Sequence, residues 1–167
     1  MRLGRILFEL SLTMQLSEFL DFDAIKPALS GGNKRALMQQ LAQIASQRLG
    51  LDGGEILSSV SERERLGSTG FGQGVAIPHG KIDGLNRIYG LFVRLSEPVD
   101  YKAIDGGKVD LVFLLLSPPD AGAEHLKALA AISRVTRHAP TLEKMRGARS
   151  RDALAAVLIG ADERDAA

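Results

Sequence analysis

The chain has 167 residues, 45% of them hydrophobic and 25% charged, with a net charge of +1 and no cysteine. That length fits one domain of ordinary size, able to bury its own core without a disulfide or a structural metal. The charge balance excludes a bulk field for nucleic acid or acidic lipid, and the missing cysteines exclude disulfides, thiolate chemistry and Cys-type zinc sites. No stretch reaches the ~20 apolar residues of a membrane span, and a cytoplasmic location is expected.

Residues 1–13 read as an N-terminal extension, with Met14 as an alternative start. Glu9 interrupts the apolar run after the first arginines and no small-residue cleavage site follows, so a signal peptide is not expected. Residues 15–22 suit a short helix or turn. Residues 24–29 contain Pro27 and fit an edge strand, where a missing N–H is tolerated.

Asn33 is a natural N-cap for a helix over 34–49, where Leu37, Leu41, Ile44 and Ala45 repeat on a 3.6 period and Gly50 supplies the stop. A second helix is expected over 54–65, with Ile56, Leu57 and Val60 inward. Residues 88–95 read as a strand, and residues 98–104 as a short strand or extended turn. Residues 109–116, VDLVFLLL, form a near-continuous apolar run suited to a strand buried on both faces. A helix follows over 121–138, Pro140 breaks the pattern or opens a short helix through Met145, and a last helix runs over 150–158 capped by Ser150. Residues 161–167 read as a loose polar tail. Helices before, between and after strands predict one domain over 14–160, a three-layer α/β/α sandwich with a mixed central sheet.

The segment 67–81, GSTGFGQGVAIPHGK, holds five of the 18 glycines and one of three histidines. It reads as a glycine-rich loop, in which Gly70, Gly72 and Gly74 let backbone approach a ligand and present N–H groups to an anion. Ser68 and Thr69 add hydroxyl donors, and Gly80 removes bulk beside His79. An imidazole near neutral pH is a nucleophile with one free ring nitrogen, so His79 is the candidate phosphoryl acceptor. A P-loop is absent, since no Gly-Lys-Ser/Thr follows at the required spacing, and the dinucleotide fingerprint is unmet. The candidate cations are Arg63, Arg65 and Lys81. Arg63 and Arg65 point in different directions on a helix, and only one of them faces the loop. His125, in a helix's first turn, feels the positive end of the dipole and is biased towards neutrality. A neutral imidazole there can support a neighbouring phosphohistidine. His138 suits a surface or capping role. No HxxxH or HxH pair exists, so no metal is expected, and no cofactor is implied.

The stretch from Arg63 to Lys81, RERLGSTGFGQGVAIPHGK, resembles the active-site signature of enzyme IIA proteins of the bacterial phosphotransferase system, fructose/mannitol class, and most of all their nitrogen-regulatory branch. The similarity extends over LSEFL, RALMQQLA, FVRLSEPVDYKAIDGGKVDLVFLLLSP and HLKALAAISR. The resemblance implies that His79 is the phosphorylated histidine, that His125 is the second histidine supporting the phosphoryl group, and that Arg63 is the arginine that stabilises its charge. It implies an HPr-like phosphocarrier as donor, itself served by an enzyme I homologue using phosphoenolpyruvate. It also implies regulated targets such as transporters or kinases. A monomer or weak dimer is expected. Two alternatives stand beside this reading: a stand-alone sugar-specific IIA component passing phosphate to a IIB protein, and a non-phosphorylated binding module of the same fold.

Overall fold

The computed structural model describes residues 13–166; the expectation of an N-terminal extension concerns residues that lie, all but the last, outside that range. Two short 3-10 turns, Leu16–Glu18 and Phe22–Ala24, lead into strand β1 (Lys26–Leu29), then helices α1 (Lys34–Leu49) and α2 (Gly53–Arg65). The segment expected to be a loop forms three short strands, β2 (Gly70–Gly72), β3 (Val75–Ala76) and β4 (His79–Lys81). Long strands β5 (Tyr89–Val99) and β6 (Val109–Ser117) follow, and helices α3 (Ala123–Thr136), α4 (Ala139–Gly147) and α5 (Arg151–Ala166) end the chain.

The helix limits follow from local chemistry. The Asn33 side chain accepts from Ala36 N at 2.8 Å, and Gly50 takes the left-handed conformation at φ 68°. Asp52 caps α2 by accepting from Gly54 N, and Ser150 Oγ accepts from Ala153 N at the start of α5. That last helix runs past Leu158 to Ala166, through the residues read as a loose tail. Asp162 explains the extension: its buried carboxylate accepts from Leu16 N at 2.7 Å and Ser17 N at 2.8 Å, tying α5 to the first 3-10 turn. The short strand or extended turn expected over 98–104 is divided: Pro98 and Val99 end β5, and the chain beyond them is irregular and turns from Ile104. Tyr101, just beyond β5, is fully buried in irregular chain.

The sheet is mixed, in the order β1-β5-β6-β3-β2, with β4 continuing beyond β3 along the same side of β6. β1 is parallel to β5 at one edge, β5 and β6 are antiparallel, and β3 and β4 both run parallel to β6. Val112, Leu114 and Leu116 of β6 pack with α1 and α2 on one face. Leu111, Phe113 and Leu115 pack with α3, α4 and α5 on the other. This is the three-layer α/β/α sandwich. The two-faced burial explains the uninterrupted apolar run, and each such side chain contributes about 1.5–3 kcal/mol. β6 therefore fixes the sheet's centre, and its C-terminal end fixes the position of β4.

Candidate active site

His79 is the first residue of β4. The β4–β6 register sets His79 opposite Leu115, Gly80 opposite Leu116 and Lys81 opposite Ser117. The imidazole is only 9% exposed. Its Nδ1 lies 2.8 Å from the Ile77 carbonyl oxygen. A carbonyl can only accept, so Nδ1 carries the hydrogen and the lone pair sits on Nε2. Nε2 makes no hydrogen bond, yet no buried side-chain nitrogen or oxygen lacks a partner among the described residues. Nε2 is therefore open to solvent. Ile77 is held in turn by its own N–H, which donates to the Thr69 carbonyl at 2.9 Å. Burial lowers the His79 pKa below its usual value. The hydrogen bond to Ile77 opposes this, the Arg63 charge adds to it and the Glu64 charge opposes it, and the net direction is down.

β6 ends at Ser117, and Pro118-Pro119 turns the chain into α3. His125 is the third residue of that helix. Its ring centroid lies 5.4 Å from that of His79, with the planes tilted by 54°. Its Nδ1 shares a 2.5 Å hydrogen bond with Ser117 Oγ. Burial, then the adjacent His79 and Lys81, lowers its pKa to about 4, so the ring is neutral at physiological pH.

Arg63 is in the last turn of α2, and one of its Nη atoms donates to the Gly67 carbonyl at 2.9 Å. It lines a shallow pocket of about 500 Å³ together with Ser59, Glu62, Leu66, His79, Gly80, Lys81 and His125. Arg65 faces a separate groove between α1 and α2, beside Lys34, Met38 and Leu57. The two arginines thus diverge, and Arg63 is the one turned to the histidines. Gly80 allows α2 to approach β4: a Cβ there would stand 2.6 Å from Ser59 Oγ and 3.2 Å from Val60 N. Ser59 Oγ donates to the Lys81 carbonyl at 2.8 Å and stitches the two elements together.

The remaining residues proposed for a phosphoryl-binding loop do not line this pocket. Ser68 Oγ accepts from Gly70 N at 3.1 Å in a local turn. Thr69 is fully buried; its hydroxyl donates to Glu64 Oε2 at 2.5 Å and meets the Tyr101 hydroxyl at 2.8 Å. Gly70 sits where a Cβ would meet Ala103 Cβ at 2.8 Å, so it is a close-packing residue of β2. Gly72 (φ 116°) and Gly74 (φ 77°) flank the β2–β3 turn, against Asp105 and against Arg146 with Asp110 respectively. Their freedom serves the turn. His138 precedes α4, where its Nδ1 meets Thr141 Oγ1 at 2.8 Å. Sequence reasoning missed Ser59 and Ser117. Ser117 had a signal, as the polar end of an apolar strand just before two prolines; Ser59 had none.

Two neutral imidazoles and a guanidinium share one pocket, with the buried histidine held by a carbonyl and its second nitrogen open, an arrangement chemically suited to an anionic group. Residues 18–160 match the family described as phosphoenolpyruvate-dependent sugar phosphotransferase system, EIIA 2, and the chain belongs to it. It is thus a component of a phosphotransferase system. Within that family the similarity is to nitrogen-regulatory proteins. The nitrogen regulatory protein of Bradyrhizobium diazoefficiens is 44% identical over 145 residues, covering 87% of this chain and 95% of the relative. The crystal structure of nitrogen regulatory protein IIA-Ntr from Neisseria meningitidis superposes with a TM-score of 0.81 at 34% identity, covering 86% of this chain and 98% of that one. Escherichia coli mannitol enzyme IIA, in its complex with phosphorylated enzyme IIB, shares the fold at a TM-score of 0.70 and 16% identity, covering 82% of this chain and 94% of that one. No described helix is long and apolar enough to cross a membrane.

Proposed function

We propose that the protein is a cytoplasmic phosphohistidine carrier of the nitrogen-type phosphotransferase system, accepting its phosphoryl group on His79 from an HPr-like protein. The observation that carries this reading is the pairing of His79 Nδ1 with the Ile77 carbonyl, which leaves Nε2 as an open nucleophile on the pocket shared with His125 and Arg63.

The Nε2 lone pair forms the new N–P bond as the donor's N–P bond breaks and that electron pair returns to the donor nitrogen. Each phosphorylated ring carries a proton on its other nitrogen, so the exchange needs no external acid or base. On His79 that proton is on Nδ1, where the Ile77 carbonyl stabilises the positive ring. Arg63 offsets the phosphoryl charge, and His125 supports the group as a neutral neighbour. Burial serves the same end: it holds His79 deprotonated and therefore nucleophilic.

The pocket's rim suits a protein donor. Leu66 is 85% exposed beside Arg63, and Leu126, next to His125, is 66% exposed. These apolar side chains, among charged residues of both signs, form a docking patch for a carrier whose phosphohistidine must come within bonding distance. The names of the relatives support a regulatory output, in which target proteins distinguish the phosphorylated from the unphosphorylated form.

The test is reconstitution with phosphoenolpyruvate, enzyme I and an HPr-type protein, followed by capture of partners with each form. One phosphoryl group should enter the protein and none should enter His79→Ala. Normal uptake by that variant would remove the assignment. Identical partner sets for the two forms would remove the regulatory reading.

A further inference from the structure

We infer that Ser117 is a positioning residue that fixes His125 in the tautomer bearing hydrogen on Nε2, and so makes it a hydrogen-bond donor to the pocket. The inference deepens the proposed function and rests on that reading for its purpose, though not for its geometry.

Ser117 is fully buried, at the end of β6. Its backbone carbonyl accepts from Ile82 N at 2.9 Å, and its hydroxyl meets His125 Nδ1 at 2.5 Å. No other described residue provides a hydrogen-bond partner for Oγ. Two arrangements satisfy that contact. In one, Nδ1–H donates to Oγ, and the hydroxyl hydrogen is then buried with no acceptor, which is unfavourable. In the other, the hydroxyl donates to the Nδ1 lone pair; every hydrogen is satisfied, and Oγ is left only with spare lone pairs. The second arrangement wins. A neutral ring that accepts at Nδ1 must carry its hydrogen on Nε2.

The consequence lies across the 5.4 Å that separates the two rings. His79 is held by a carbonyl, which accepts, and so presents a lone pair on Nε2. His125 is held by a hydroxyl, which donates, and so presents an N–H. His125 Nε2 makes no protein hydrogen bond and, like that of His79, reaches solvent. The backbone and one serine thus set two chemically identical side chains to opposite roles, acceptor of the phosphorus and donor to its oxygens. The same hydroxyl discourages protonation of His125, because an imidazolium would need an acceptor at Nδ1. This agrees with a ring that burial already keeps neutral.

The experiment is long-range 15N–1H correlation NMR of the 15N-labelled protein near pH 7, which reads each histidine tautomer directly. The wild type should show Nδ1–H for His79 and Nε2–H for His125. In Ser117→Ala the His125 signals should move towards the Nδ1–H form or a mixture, and phosphoryl transfer to His79 should slow roughly tenfold, the loss expected for one misplaced donor. Ser117→Thr keeps a hydroxyl and should restore both readouts. A wild-type His125 in the Nδ1–H form overturns the inference, as does a Ser117→Ala spectrum with His125 unchanged. If His79 takes up no phosphoryl group at all, the proposed function fails while the tautomer readout still decides the role of Ser117.

Discussion

Gly80→Ala tests the closeness of α2 to β4, on which the site's geometry depends. The added methyl would lie 2.6 Å from Ser59 Oγ, 3.2 Å from the Ser59 carbonyl carbon and 3.2 Å from Val60 N. The hydroxyl can rotate away, but it then gives up its 2.8 Å bond to the Lys81 carbonyl, worth about 1 kcal/mol. The two backbone contacts cannot rotate away, and α2 must shift by a few tenths of an ångström. Overpacking of this kind costs about 1–3 kcal/mol, which for a chain of this size lowers Tm by roughly 2–12 °C. Arg63 lies one turn further along α2 than Ser59, so the shift also moves the guanidinium relative to His79. Transfer should fall more than the folded fraction does. Gly160→Ala is the control: it is a helix-interior glycine with nothing within 4 Å of the new methyl, and it should gain about 0.5–1 kcal/mol. Thermal and urea melts beside single-turnover phosphoryl uptake read both effects. A Gly80→Ala protein as stable and as fast as the parent would refute the reasoning.

Arg63→Ala should slow transfer roughly 10²-fold, the scale for losing one charge-stabilising donor, while Arg65→Ala, on the other side of α2, should leave it near the parental rate; stopped-flow uptake with both variants separates them. Leu66→Asp should raise the half-saturating concentration of phospho-donor without lowering Tm, because Leu66 is 85% exposed; a parental titration curve would count against the rim as a docking patch. The acid decline of uptake, as Nε2 protonates, should have its midpoint below the ordinary histidine value of ~6.5, since burial lowers the His79 pKa; a midpoint at or above 6.5 would contradict the burial argument. Burial pushes the Glu64 carboxyl up, but hydrogen bonds from Lys34 and Thr69 outweigh it and the net direction is down. Its stabilisation is therefore complete above the unfolded value of ~4.3 and is lost as pH drops through the lower folded value. Glu64→Gln should flatten that acid limb of a urea-stability profile, and an unchanged limb would show that the carboxylate is not its source.

Much of the scaffold is written in local pattern. The α1 stripe of Leu37, Leu41 and Ala45 with Asn33 before it and Gly50 after it needs no tertiary knowledge, and VDLVFLLL announces a strand covered on both faces. The glycine-rich segment is the opposite case. Its three strands are two or three residues long and exist because they pair with each other and with β6, contacts made some 35 residues away in sequence. Its glycines suggested an anion-binding loop; Gly72 and Gly74 flank the β2–β3 turn and Gly70 packs closely on Ala103, while Gly80 lines the pocket against Ser59. Residues 161–166 looked polar and loose because a buried carboxylate among them, Asp162, has its partners at Leu16 and Ser17, almost the whole chain away. Of the site, His79 was legible from its Pro-His-Gly setting. Helix spacing alone left Arg63 and Arg65 open and the family resemblance favoured Arg63, which the orientation of α2 turns to the histidines, whereas the contacts of Ser59 and Ser117 required the distances themselves.

On the proposed function, the Ile77 carbonyl leaves Nε2 of His79 to accept the phosphoryl group. 15N–1H and 31P NMR of the 15N-histidine-labelled protein, after phosphorylation by the complete donor chain at neutral or alkaline pH, reads this directly. A single phosphohistidine is expected, on His79, with phosphorus coupled to Nε2 and hydrogen retained on Nδ1. Phosphorus on Nδ1 of His79, or on His125, would contradict it.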